Sequence, residues 1–377
     1  LSKIDKLKSN LISNIKIKNL FQLKSLITFS IILGVIKLIE QLIKGKYFHD
    51  FYVYLNAIKV LDNSGNPYFN IWELPYLYPP IISKLLEISN QSLFSIIYLI
   101  IYISAIFLVY IISEKNFKIS LLISLGVSGI LVKSLLTGNI SNIFYLLIII
   151  SIFFYYKKQN FLPYYISVSF MSIIKFNFII LFLLPIIINR NSRKEFLKLF
   201  VFIIFLSLVY IYQYIFMNEQ FFDFVRSLKA YNAHDRGNSI FVFLYYKLEI
   251  NLLISVLIHL SFFAILLSFL IYKRDKIDPK IFLLSILILL VFTNPRFKLY
   301  DVAFGIVFLN LAILYFDKKT IINFFIFNIF GILLIKQIAK FLDLSIGNPN
   351  MIAWYIFILF FLILFKKYRI LNFDKIS

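Results

Sequence analysis

A dozen times along this chain an apolar run of roughly 15 to 22 residues recurs, the length that crosses the hydrocarbon of a bilayer as a helix. The runs fall at about 24–43, 92–112, 119–136, 142–156, 161–174, 177–189, 196–216, 251–272, 280–294, 300–316, 320–338 and 351–366. Only 15 % of the residues are charged and 61 % are hydrophobic, against roughly 25 % charged in soluble globular chains. An all-α integral membrane protein, one polytopic domain over residues 1–377 with about 10–12 transmembrane helices, is the fold that these runs predict. The 45 Phe and 25 Tyr against 2 Trp place aromatic rings between helices and, for many Tyr, at the two interfaces.

A net charge of +21 could suggest nucleic acid, but the basic residues are scattered between apolar runs instead of clustered on a soluble face, so no nucleic-acid partner is expected. Topology accounts for them better. With the N-terminus in the cytoplasm, the inner segments carry about 24 Lys and Arg and the outer ones about 14, as the positive-inside rule requires. A plasma (inner) membrane protein with both termini cytoplasmic follows, and the first run, which no small-residue cleavage site follows, is expected to be retained. The absence of cysteine rules out disulfides and thiolate metal sites.

Two outer segments are long, 44–91 and 217–250. In the first, Phe51, Tyr54, Leu55, Ile58 and Leu61 recur at helical spacing against Asn56, Lys59, Asp62 and Asn63. This predicts an amphipathic helix lying at the interface, closed by a turn at Ser64-Gly65-Asn66-Pro67.

The pattern Asp50-Phe51-Tyr52-Val53-Tyr54, Ala57, Gly65-Asn66-Pro67-Tyr68 and Tyr78-Pro79-Pro80 resembles the first outer loop of the family 87 glycosyltransferases. Thr137-Gly138-Asn139 before Asn142 is similar to that family's Gly-Gln-x-Asn segment, with Asn139 where Gln is usual. Lys175 matches a Lys at the end of a short helix, with Phe176 in place of Pro. Gly237-Asn238-Ser239 and Asn294-Pro295-Arg296 follow in the family's order, and the likeness runs over residues 30–310.

This resemblance implies a GT-C type bundle whose first outer loop is catalytic. Its implied activity is transfer of a hexose, typically mannose, from a polyprenyl-phosphate donor to a glycolipid or glycan acceptor at the extracytoplasmic face, with inversion. A lipid phosphate leaves without being protonated, so one carboxylate suffices where a glycosidase needs two. Asp50 is the expected general base; the bland alternative is an interfacial acid beside His49 that caps the amphipathic helix. Lys175 and Arg296 are expected at the donor phosphate, with snorkelling to the surface or an ion pair between Lys298 and Asp301 as the ordinary alternatives. Tyr54, Asn66, Tyr68, Tyr78, Asn139, Asn238 and Ser239 are expected to wall the pocket, whereas a solvated loop tip with a turn at Gly237 would explain His234 and Asp235. No obligatory metal is expected; His49-Asp50 and His234-Asp235 are the pairs that a divalent cation would use. Rival readings are a transporter or flippase of lipid-linked sugars, and an O-antigen polymerase or ligase. Lys37 and Glu40, the charges inside the first run, are spaced to pair with each other along a helix, which counts against transport.

Overall fold

The computed structural model describes residues 24–368 apart from 46, 70–75, 127–128, 190–192, 233–238, 296 and 342–348. Among the described residues every regular element is helical. Five helices are long and apolar enough to cross a membrane. They are α1 (Lys24–Ile43), α4 (Gln91–Ile112), α7 (Ile140–Lys158), α10 (Arg193–Phe216) and α13, which runs over Leu252–Lys273 and on through a short 3-10 turn to Lys276. A multi-pass, all-α membrane protein is what these helices make.

Of the remaining expected spans, those at about 119–136, 161–174, 177–189, 280–294 and 300–316 are helical but shorter or broken. The run at 119–136 is two helices, α5 (Lys115–Gly126) and α6 (Ile130–Leu136), bent by 91° at the intervening break. A sixth crossing results if that pair counts as one span. The run at 177–189 starts as a 3-10 helix over Phe176–Phe182 and continues as α9 (Leu183–Ile188). Helix α8 (Leu162–Ile174), α14 (Pro279–Phe292) and α15 (Leu299–Ile313) are apolar but short. Two more helices among the described residues are α16 (Lys318–Phe341) and α17 (Pro349–Lys367).

The chain divides into two compact units. The smaller comprises residues 1–44, 114–133 and 305–377. In it α1 meets α5 through glycine: a Cβ on Gly126 would collide with the Ser30 backbone, and one on Gly34 would sit 2.9 Å from Leu125 Cβ. Ser120 and Asn310 cross-link α5 to α15, the first by donating to Val307 O at 2.6 Å, the second by donating to Ser124 Oγ at 2.9 Å. The expected Lys37–Glu40 pair forms at 2.6 Å.

The larger unit, residues 45–113 and 134–304, holds most of the first outer segment. Its interior is α7, α8 and α14; from Ile281 to Phe292 every residue of α14 is buried. Helices α4 and α10 are the reverse, with only 17 % and 11 % of their apolar windows buried, the pattern of helices that present apolar side chains to lipid.

Within the first outer segment, α2 (His49–Asp62) buries Phe51, Val53, Tyr54, Ala57 and Ile58 and exposes Lys59 and Asp62. The amphipathic helix is therefore present, ending in the expected turn, where Gly65 N–H returns to Val60 O at 2.8 Å. A short α3 (Pro80–Glu87) follows, entered through Pro80 at its first position, where the missing N–H costs nothing. The second outer segment, read from sequence as a loop, is largely helical: α11 (Asn218–Asn232), then one turn, α12 (Ile240–Val242), running into a π-helix over Phe243–Lys247.

Candidate functional site

The site is assembled from three places in the sequence, all within the larger unit. The first is the start of α2. Phe48 takes a left-handed conformation, φ 52°, which non-glycine residues adopt at a cost and which concentrates at functional sites. That twist aims two backbone donors at the end of α6: Phe48 N–H reaches Leu136 O at 2.6 Å, and Asp50 N–H reaches Thr137 O at 3.0 Å.

The second is the turn Thr137-Gly138-Asn139. Gly138 sits at φ +69°, and a Cβ there would lie 2.6 Å from Phe48 Cδ1. Glycine is needed both for the backbone angle and for the approach of the Phe48 ring. Tyr98 Oη donates to Gly138 O at 2.5 Å and Tyr102 Oη to Leu135 O at 2.7 Å, so two phenols of α4 hold the turn from behind. Asn142, fully buried, closes the support by exchanging hydrogen bonds with Ser134.

Asn139 then begins α7 as its N-cap, its Oδ1 accepting from Ser141 N–H at 2.9 Å. The same amide has two further partners. Its Nδ2 donates to Asp50 Oδ2 at 3.0 Å, and its Oδ1 accepts from Lys175 Nζ at 2.9 Å. Only one orientation of an amide satisfies this set, since a carboxylate accepts and an ammonium donates.

The third is the end of α8. Lys175 leaves helical geometry at φ −139°, ψ 99°, and its ammonium donates also to Ser141 Oγ at 2.7 Å. It faces two aromatic rings, Tyr300 at 4.6 Å and Tyr78 at 5.5 Å from the centroids, within cation–π range.

Asp50 is partly exposed, its side chain 22 % accessible. One carboxylate oxygen is held by Asn139, and the other lies 3.8 Å from Nε2 of the half-exposed His49. The capping alternative is not realised, because α2 starts at His49 with no side-chain cap and Asp50 lies inside its first turn.

Tyr54 Oη and Tyr78 Oη share a hydrogen bond of 2.7 Å, and Tyr68 Oη donates to Tyr78 O at 2.8 Å. Burial pushes the phenols of Tyr54 and Tyr78 well above their ordinary range, so both serve as neutral hydroxyls. Asn66 stands further out. Its Oδ1 closes a turn onto Tyr68 N–H at 3.0 Å, and its Nδ2 donates to Asp223 of α11 at 2.8 Å.

Ser239 is buried. It caps the turn at Val242 and donates to Pro295 O at 2.7 Å, tying two outer segments together instead of joining the Asp50 group. Arg296, Asn238, His234 and Asp235 lie outside the described residues. Among the described residues no group of three or more His, Asp or Glu side chains is gathered that could hold a metal ion.

Sequence reasoning missed Ser141, Tyr300 and Tyr145, and it saw Asp301 only as an ion-pair partner. Ser141 could have been found, since it stands between two matched asparagines. Tyr145 and Asp301 are joined by a 2.5 Å hydrogen bond across 156 positions, which no local pattern encodes. Neither a protein-family model nor a curated protein nor a solved structure matches this chain.

Proposed function

We propose that this protein is a membrane glycosyltransferase of GT-C type that moves a hexose, mannose by preference, from a polyprenyl phosphate to a glycolipid or glycan acceptor on the extracytoplasmic face of the plasma membrane. The shorter helices complete its bundle of 10–12 spans. The observation that carries this is the single Asn139 amide lying between the Asp50 carboxylate and the Lys175 ammonium.

Transfer needs a base for the acceptor hydroxyl and a cation for the departing phosphate, held at a fixed separation. The carboxylate oxygen that Asn139 leaves open takes the acceptor's proton. The acceptor oxygen attacks the anomeric carbon, and the bond to the phosphate oxygen breaks with its electron pair going to the phosphate. Lys175 compensates the charge that gathers there. One displacement inverts the anomeric centre. Tyr78 and Tyr300 form walls beside the ammonium, and Tyr54 and Tyr68 fix the Tyr78 ring.

The test is transfer of radiolabelled mannose from a polyprenyl phosphate to an octyl mannoside, with the purified protein in liposomes. Asp50→Asn, stably inserted, is expected to lose about two to four orders of magnitude in turnover, the usual share of general base catalysis. Normal turnover in that variant would sink the base assignment. Passage of the lipid-linked sugar across the bilayer without transfer would favour a flippase.

A further inference from the structure

Asp301 opens α15 and is fully buried. Its carboxylate accepts from Tyr145 Oη at 2.5 Å, from Lys298 N–H at 2.8 Å and from Asn294 Nδ2 at 3.2 Å. The amide and the backbone N–H can only donate, so the surroundings suit an ionised carboxylate. Its chain neighbour Tyr300 supplies the ring that faces Lys175, and its partner Tyr145 stands one helical turn along α7 from Ser141, which receives the Lys175 ammonium. A carboxylate whose hydrogen-bond partners suit its charge thus shares neighbours with the cation assigned above to the donor phosphate.

Such a charge weakens the binding of any anion, and its effect scales with the anion's charge. If the proposed function holds, on which this inference rests, the two anions differ. The donor is a phosphodiester with one negative charge, whereas the lipid product is a monoester that carries close to two near neutral pH. We propose that Asp301 is a charge-specificity residue: it opposes the lipid-phosphate product more strongly than the donor, and so lets the product leave Lys175 after each transfer. At the effective dielectric of about 20 that suits such sites, one extra unit of ligand charge changes affinity on the order of tenfold.

The experiment measures binding, not turnover. Farnesyl phosphate, a monoester, and its methyl diester are titrated calorimetrically into the full-length protein in nanodiscs. Asp301→Asn is expected to tighten the monoester about tenfold relative to the diester, while Asp301→Glu, which keeps the charge, preserves the wild-type ratio. An unchanged ratio in Asp301→Asn, or equal weakening of both probes, overturns the proposal and leaves the transferase hypothesis standing. Asp301→Ser repeats the measurement should the Asn variant fail to fold; loss of the fold in both would assign Asp301 to the fold alone and overturn the proposal too. A wild-type protein that binds neither probe removes the phosphate role of Lys175, and this inference with it.

Discussion

Asn139 carries three duties on one side chain: it caps α7, holds one oxygen of Asp50 and receives the ammonium of Lys175. These duties can be separated, because capping needs only a short side chain with an acceptor oxygen, whereas bridging needs a donor and an acceptor side by side. Asn139→Ser retains the first, but its single shorter hydroxyl cannot replace the two separate atoms, Nδ2 and Oδ1, that reach Asp50 and Lys175. The expected outcome is a melting temperature close to wild type with mannose transfer down at least about tenfold, since misplacing a reacting group costs rate more than stability. A variant with wild-type transfer would strip the bridge of any functional part. Lys175 stood out in the sequence as a charge flanked by apolar runs, whereas Asp50 and Asn139 were singled out by the resemblance to the family 87 pattern. Their convergence was not legible, since it depends on Gly138 admitting the Phe48 ring and on the left-handed turn at Phe48. Asp301 escaped notice as a site residue because its partners come from α7 and from the turn before α15.

Between elements, the informative case is α11. The segment 217–250 looks like a loop by hydropathy, yet Phe221, Phe224 and Leu228 recur at helical spacing, and Phe224 is buried against Tyr68. Polar residues at a membrane surface mask a helix that does not need to span. The helix fastens the turn after α2 twice, through Asn66 to Asp223 and through Ser227 Oγ to Tyr68 O at 3.1 Å. The Asp223 side chain is only 13 % exposed, so its hydrogen bond to Asn66 is shielded from water. A double-mutant cycle of Asn66→Ala and Asp223→Ala, read by chemical unfolding in detergent, should give a coupling of about 0.5–1.5 kcal/mol. Strict additivity of the two losses would mean that α11 and the first outer segment stand independently. The bend between α5 and α6 was hidden for a related reason. Composition reads 119–136 as one apolar run, whereas Gly129, at φ +66°, permits a turn that hydropathy does not register.

At the scale of the whole molecule, hydropathy gives the class of fold but does not separate a helix that faces lipid from one that faces protein. Helix α14 is as apolar as α10, yet it is 14 residues long and buried along almost its whole length. Which end of the larger unit faces the cytoplasm has to come from charge. Lys157 and Lys158 end α7, and Lys273, Arg274 and Lys276 end α13; the positive-inside rule predicts that these ends face the cytoplasm and α2 the outside. The absence of cysteine in the chain makes this directly measurable. Asn63→Cys, exposed just after α2, should react with a membrane-impermeant maleimide on intact cells, whereas Lys276→Cys should react only once the membrane is opened. The reverse labelling would turn Asp50 toward the cytoplasm, where water-soluble nucleotide sugars are at hand. The proposed lipid-phosphate donor follows from an outer site that soluble donors do not reach, so inverted topology would remove the reason for that donor while leaving the Asp50–Asn139–Lys175 geometry intact.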